Sequence, residues 1–161
     1  MQYNLAATGG TFDIIHAGHR ALLDHAFAVA KHVIIGLSGD RFATRKGKTL
    51  LHTYDQRRDL LSDLLDSEFA DRYTISMLDD DFGPAILEDD VQALVVSQET
   101  SFQGDILNDM RRARGCSPVD VVVVPMILAS DGCRISTTRI RNSEIDTLGR
   151  LIQLDKKTTL S

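Results

Sequence analysis

Residues 8–19 of the chain read TGGTFDIIHAGH. An apolar run at Leu5–Ala7 precedes this stretch and an amphipathic helical pattern follows it, so the stretch is predicted to lie where a strand turns into a helix. Gly9 and Gly10 let a ligand approach the backbone closely, and the unpaired amides at a helix start attract anions. We therefore expect a phosphate group at this turn, with the two histidines of the stretch on either side of it.

The two histidines, His16 and His19, stand on either side of Gly18. A zinc site is not favoured, because the HExxH pattern is missing and no third ligand has a recognisable spacing. A role in core packing does not readily explain why two histidines directly follow a glycine-rich strand end. We interpret the pair as phosphate contacts and expect no metal held by protein side chains.

A second polar segment, ISTTRIR, occupies residues 135–141. The segment 135–149 is predicted to be helical, and the helix is expected to begin at Ser136. Two interpretations of its hydroxyls remain open, because serine and threonine are common helix N-caps and because three hydroxyls followed by Arg139 would also hold phosphate oxygens at a helix start. If the second interpretation holds, this segment and residues 8–19 must meet at one triphosphate.

Short apolar runs of strand length recur along the chain, with helical patterns between them such as 18–31 and 54–66. Runs that are apolar without alternation are typical of a parallel sheet covered by helices on both faces. The sequence therefore predicts an α/β fold with a doubly wound, open, parallel five-stranded sheet, in which ligands bind beyond the carboxyl ends of the strands where the strand order reverses. The expected strands are Leu5–Ala7, His32–Leu37, Tyr73–Leu78, Ala93–Val96 and Val119–Val124.

Length, charge and cysteine content narrow the class of protein. The 161 residues fit one domain, 1–161, with a C-terminal helical segment from about 136. A formal net charge of −5 argues against sequence-independent binding to nucleic acid, which depends on cations. The two cysteines suit a reducing compartment, and neither a leader peptide nor an apolar stretch of about 18 residues is present. We expect a cytoplasmic protein without a membrane partner.

Several well-known motifs are absent. The RKGKT sequence at 45–49 imitates a P-loop, but Phe42 stands where that pattern requires glycine. A lysine in this loop either reaches the ligand edge of the sheet or lies in solvent. GGTFD lacks the spacing of a dinucleotide fingerprint, and no GxSxG nucleophile is present. The basic run Arg111–Arg114 is interpreted as a solvated helix end.

The motifs taken together resemble the HxGH nucleotidylyltransferase superfamily, and over nearly the whole chain the archaeal and eukaryotic type of phosphopantetheine adenylyltransferase. The chain departs from this type at Gln98 and Asp81, where proline is expected, and at Ala17 between the histidines. The segments that carry the resemblance are GGTFD at 9–13, HAGH at 16–19, YDQR at 54–57, DDFGPA at 80–85, VVSQET at 95–100 and ISTTRIR at 135–141.

The resemblance implies a Rossmann-like nucleotidylyltransferase fold and transfer of the adenylyl group of ATP to 4′-phosphopantetheine, which gives dephospho-coenzyme A and pyrophosphate, with Mg²⁺ accompanying ATP. It implies catalytic roles for Thr11, His19 and Lys48, with Lys48 and Thr11 at the acceptor phosphate and Arg57 as a further acceptor contact or a structural ion pair. The implied ATP contacts are Gly9, Gly10, Thr11, His16, Gly18, His19, Val95, Val96, Ser97, Glu99, Ser136, Thr137, Thr138 and Arg139.

Two alternatives stay open from the residues themselves. The same chemistry would serve another acceptor, such as nicotinamide or flavin mononucleotide, or cytidine triphosphate as donor. A non-catalytic nucleotide sensor would also keep the phosphate site. The sequence does not indicate the oligomeric state, regulation by coenzyme A, or the protonation state of His19.

Overall fold

The computed structural model of the chain describes residues 1–83, 88–133 and 135–152, and of residues 137 and 138 only the backbone. Pro84 and Ala85 of the DDFGPA segment lie outside the described residues, as does the C-terminal end of the predicted single domain. Within the described part, no helix has the length and apolar character needed to cross a membrane.

Five parallel strands form one sheet in the order β3-β2-β1-β4-β5. The chain builds outward from β1 through β2 to β3, and then continues on the opposite side of β1 with β4 and β5. The strand order therefore reverses between β1 and β4, which confirms the predicted doubly wound sheet. The strands are β1 Tyr3–Gly10, β2 Ala30–Ser38, β3 Tyr73–Leu78, β4 Ala93–Ser97 and β5 Asp120–Val124.

Helices cover both faces of the sheet. On one face, α1 and α3 bury Leu23, Phe27 and Leu61 against the central strands. On the other face, Leu107 of α4 packs on Leu94. The same strands thus bury side chains on two sides, which is why their sequences are apolar without alternation. The helices are α1 Ala17–Val29, α2 Asp40–Arg45, α3 Tyr54–Glu68, α4 Phe102–Ala113 and α5 Thr137–Arg141, and short 3₁₀ turns occur at Ala70–Arg72 and Gln98–Thr100.

The structure corrects two sequence interpretations. The predicted helix over 135–149 is only the five-residue α5; turns follow it, and Ile145 pairs with Leu151 in an isolated antiparallel bridge. The basic run at the end of α4 is not uniformly solvated, because Arg111 is completely buried and donates to the carbonyls of Ser117 and Glu88. In both places tertiary contacts, which leave no local pattern, decide the outcome.

Candidate active site

A cavity of about 450 Å³ opens at the carboxyl ends of β1 and β4, where the strand order reverses. These two strands pair at Ala6 with Ala93 and at Ala7 with Leu94. One residue further on, the hydroxyl of Thr8 takes over the link and donates to the carbonyl of Val95 over 2.8 Å. The crevice thus begins where the backbone ladder stops, as expected for a ligand site in a doubly wound sheet.

Residues from both predicted segments line this one cavity. The strand-to-helix turn contributes one wall, the end of β4 another, and Ser136 represents the C-terminal segment. The two segments therefore converge, as one shared triphosphate requires. The predicted site residues in the lining are Gly9, Gly10, Thr11, His16, Gly18, His19, Lys48, Val95, Val96, Ser97, Glu99 and Ser136.

Other predicted site residues lie elsewhere. Arg57 is not part of the lining; it is completely buried, and its side chain donates to three backbone carbonyls and to Asp40, which favours the structural interpretation of this arginine. Arg139 is also absent from the lining, and its guanidinium pairs with Asp131. The side chains of Thr137 and Thr138 lie outside the described residues.

Arg141 lines the cavity, although its position in the motif did not mark it as a ligand contact. It donates to the carbonyl of Thr49 over 2.8 Å, while its Nε is buried and makes no hydrogen bond to the described residues. The helical period gives no signal here, because Arg139 follows the lining residue Ser136 by three residues and so shares its face equally well. The contact with Thr49, which is remote in sequence, places Arg141 at the cavity.

The two histidines cap α1 reciprocally. His16 is the N-cap residue, and its Nδ1 accepts the amide of Gly18 over 3.1 Å. The Nδ1 of His19 accepts the amide of His16 over 3.3 Å, and the rings stack with centroids 3.8 Å apart. Glycine is required between them, because a Cβ on Gly18 would lie 2.9 Å from Cε1 of His16. The HAGH motif is therefore a capping box made from imidazoles.

This arrangement sets the charge and tautomer of His19. Burial lowers the pKa of His19 to about 3, and the neighbouring His16 and Lys48 act in the same direction, whereas a hydrogen bond to the Ile14 carbonyl opposes them. The ring is neutral at pH 7. Because Nδ1 accepts a backbone amide, the single proton resides on Nε2. His19 can therefore donate this proton to a bound phosphate without bringing a charge, in place of its contact with the Ile14 carbonyl.

Phe12 fixes the turn between the glycines and the histidines. Its backbone adopts the left-handed conformation, with φ of 50°, which is costly for a bulky residue. The side chain is 2% exposed and belongs to the main core, and its ring lies 4.8 Å from that of His19. Core burial of this ring stabilises a turn that would otherwise relax, and so positions Thr11 and His19.

Lys48 reaches the cavity from the end of α2. Gly47 has a φ of +81° and donates its amide to Thr44, while the amide of Lys48 donates to Ala43. These two bonds form a Schellman motif, in which glycine is favoured because the position is left-handed. The RKGKT sequence is thus a helix C-cap that presents Lys48 to the cavity.

The two departures from the family pattern make contacts at the cavity rim. Asp81 forms an ion pair with Lys46 over 3.0 Å, and both residues line the cavity beside the apolar side chains of Phe42 and Phe82. Gln98 accepts the amide of Met126 over 3.4 Å, which joins the end of β4 to the segment after β5. Each replacement of proline thus supplies a contact between two cavity-lining segments.

Comparison with known proteins gives a consistent result. The family model described as cytidylyltransferase-like matches residues 7–143. The chain is 41% identical, over 94% of its length and 92% of the relative, to a phosphopantetheine adenylyltransferase of Methanothermobacter thermautotrophicus. It is 34% identical, over 97% of its length and 98% of the relative, to the protein of the same name from Pyrococcus furiosus.

A solved structure has a similar fold. The crystal structure of a protein of unknown function from Archaeoglobus fulgidus superposes with a TM-score of 0.68 at 25% identity, covering 75% of this chain and 88% of that one.

Proposed function

The chain belongs to the cytidylyltransferase-like family and, within it, to the phosphopantetheine adenylyltransferases, and we propose that it transfers the adenylyl group of ATP to 4′-phosphopantetheine, forming dephospho-coenzyme A and pyrophosphate. One observation carries the proposal: the glycine–histidine turn and the C-terminal segment line the same cavity at the strand-order reversal. A triphosphate needs donors on several sides, and this convergence supplies them.

The nucleotide is assigned to the cavity by the chemistry of its walls. Val95, Val96, Ser97 and Glu99 would lie along adenine and ribose, since they form the wall at the end of β4. The phosphates would contact the Gly9 and Gly10 backbone, the imidazole of His16 and the hydroxyl of Ser136, with the threonines at 137 and 138 added by family resemblance. Arg141 would take the role that the resemblance implied for Arg139, because Arg141 lines the cavity.

The transfer itself needs alignment more than acid–base chemistry. An oxygen of the acceptor phosphate attacks the α-phosphorus of ATP, the bond from that phosphorus to the β-phosphate bridging oxygen breaks, and pyrophosphate leaves. A phosphate monoester has its second pKa near about 6, so the attacking group is already dianionic at neutral pH and requires no general base. Thr11 and the neutral His19 would donate to the phosphates that react, and Lys48 would orient the acceptor phosphate.

Mg²⁺ is proposed to enter with ATP. Among the described residues, no group of three or more histidine, cysteine, aspartate or glutamate side chains is placed to hold a metal ion. Magnesium is often held mainly by substrate phosphates and water, so the donor set fits an ion carried by the triphosphate, where it would disperse negative charge. No step is assigned to a protein-held ion. We also propose that the enzyme works in the reducing cytoplasm, since Cys116 and Cys133 are not joined in a disulfide.

The test is an acceptor screen. The purified protein is given ATP and Mg²⁺ with 4′-phosphopantetheine, nicotinamide mononucleotide or flavin mononucleotide in turn, pyrophosphate release is measured, and the nucleotide product is identified by mass. CTP replaces ATP in a parallel series. We expect pyrophosphate only with ATP and 4′-phosphopantetheine, and a product with the mass of dephospho-coenzyme A. Release with another acceptor, or ATP binding without any release, would overturn the assignment.

A further inference from the structure

We infer that Arg57, which does not reach the cavity, is a positioning residue for the reaction: it holds the phosphate-binding turn and the lysine-bearing loop in register. This inference rests on the proposed function, because it assigns the two segments the tasks given to them there. It starts from the hydrogen bonds of a single buried guanidinium.

Arg57 lies in the first turns of α3 and is 0% exposed. Its NH1 donates to the carbonyls of Thr11 and Ser38, at 2.9 and 2.8 Å, and its Nε donates to the carbonyl of His52 over 3.3 Å. These three acceptors belong to the phosphate-binding turn, the end of β2 and the segment after Lys48. One side chain thus joins three stretches of backbone that border the cavity.

Asp13 holds the same region from the opposite side. Its carboxylate accepts the amides of Leu51 and His52, at 2.9 and 3.0 Å, and the ring of His52 contacts the carbonyl of Asp13. His52 is therefore bound through its amide and ring to Asp13 and through its carbonyl to Arg57. We call the set formed by Asp13, His52 and Arg57 the turn–loop clamp.

The clamp joins two residues that the reaction needs in fixed relation. Thr11 is bonded to Arg57 through its own carbonyl, and the loop that carries Lys48 ends at His52. The α-phosphate would lie near Thr11 and the attacking phosphate near Lys48, so the clamp sets the distance over which the new bond forms. A displacement of about 1 Å between reacting groups can cost about 100-fold in rate.

Stability alone gives a weak reason for this arginine. Its charged partner Asp40 has a side chain that is 50% exposed, and a buried charge held mainly by backbone carbonyls contributes little net stability compared with an apolar residue of similar size. A planar guanidinium is, however, the side chain that can donate to several fixed acceptors at once. Its geometry, rather than its charge, is the property that lysine lacks.

The chain contains a matched control. Arg111 is also 0% exposed and donates to the backbone carbonyls of Ser117, Glu88 and Val91, but none of these three residues lines the cavity. Arg57→Lys and Arg111→Lys therefore make the same chemical change in the same kind of environment, and only the first alters the turn–loop clamp.

The experiment compares turnover per ATP-binding site, with sites counted by calorimetric titration so that unfolded protein does not enter the rate. We expect Arg57→Lys to lower kcat at least 10-fold with the KM for ATP changed less than 3-fold, because the other nucleotide contacts remain. Arg111→Lys should lower Tm but keep kcat per site within 2-fold. Equal kcat in Arg57→Lys and wild type, or an equal loss in both variants, would overturn the inference.

Amide hydrogen exchange provides a readout that does not depend on turnover. The Leu51 and His52 amides should exchange at least 10-fold faster in Arg57→Lys than in wild type, and unchanged exchange there would contradict the clamp even if the wild type transferred no adenylyl group. If Arg57→Lys does not fold, Asp13→Asn attacks the clamp from its other side and should also lower kcat per site at least 10-fold. Failure of wild type to release pyrophosphate would instead refute the proposed function.

Discussion

The two halves of the cavity differ in how they are held in place. The turn after β1 takes its conformation from its own short stretch of chain, through the imidazole capping box and the left-handed backbone of Phe12, and Arg57 then ties it to the rest of the fold. The C-terminal segment is fixed by distant partners, because Arg141 donates to Thr49 and the amide of Ala17 donates to Thr147. A site can therefore combine one wall set by local sequence with another set by tertiary contacts.

The difference explains where function is expected to be most sensitive. The turn after β1 carries His19, whose ring is held by the amide of His16 and by stacking on the His16 ring. The C-terminal segment carries charged groups on a five-residue helix, where long side chains adapt more easily. Substitutions in the first region should reduce the chemical step, and those in the second should mainly reduce nucleotide affinity.

His19→Ala should have the largest effect. Loss of one donor to the charge that develops in the transition state costs about 10²- to 10³-fold in turnover, and we expect this loss with the circular dichroism spectrum unchanged. His25→Ala is the control, since His25 lies on the same helix but does not line the cavity. A His19→Ala enzyme with near-normal turnover would remove this residue from the mechanism.

The contrast between local and distant contacts also explains which parts of the structure could be predicted from the sequence. The doubly wound parallel sheet and the place of the glycine turn followed from the apolar runs and the βα alternation, since right-handed crossovers leave few arrangements of a parallel sheet. The end of α5 did not follow, because the turns after Arg141 are held by residues outside the segment: the carbonyl of Thr147 accepts the amide of Ala17, and the carbonyl of Gly149 accepts the amide of Ser130. Local patterns predict local structure and fail where a segment depends on distant contacts.

Individual residues of the site illustrate the limits of prediction from local patterns. His16 and His19 carry their own geometry in the HAGH motif, so their place at the cavity was predictable. Arg57 and Arg111 were not, because a buried arginine bonded to carbonyls looks the same in sequence as a solvated one. Arg141 was not predictable either, because its side chain is held by Thr49, which is remote in sequence.

Arg141→Ala and Arg139→Ala test the second wall directly. A charge-assisted hydrogen bond to a ligand contributes about 1.5–3 kcal/mol, so loss of Arg141 should raise the Kd for ATP about 10- to 100-fold. Arg139 pairs with Asp131 outside the cavity lining, and its loss should leave the Kd within about 3-fold. Calorimetric titration with ATP measures both. The reverse ranking would return the phosphate role to Arg139.

Lys48→Ala should act on the acceptor. Removing its ammonium group takes away one phosphate contact, and we expect kcat/KM for 4′-phosphopantetheine to fall about 10-fold while the KM for ATP stays nearly constant. Lys46→Ala serves as the comparison, since Lys46 is bound to Asp81 at the rim and its loss should change kcat/KM by about 2-fold. Unchanged acceptor kinetics in Lys48→Ala would contradict its assignment.

The two regions should affect stability over different pH ranges. The pKa of His19 is lowered to about 3, against about 6.5 in the unfolded chain, so below pH 6.5 the unfolded state binds a proton that the native state does not. The free energy of unfolding should therefore fall as pH decreases through this range, and between pH 6.5 and 5.5 this group accounts for about 1 kcal/mol.

The ion pair between Asp131 and Arg139, beside the C-terminal wall, titrates at lower pH. The hydrogen bond from Arg139 lowers the pKa of Asp131, so that ion pair stabilises the fold above the ordinary aspartate pKa and is lost only as pH falls below it. Urea denaturation of wild type and His19→Asn at pH 6.5 and 5.5 separates the two contributions, because asparagine can still accept the His16 amide but does not titrate. We expect the variant to lose less stability than wild type over this interval. Equal losses would show that the neutral imidazole is not the origin of the acid sensitivity. The turn after β1 would then contribute nothing to the change in unfolding free energy between pH 6.5 and 5.5.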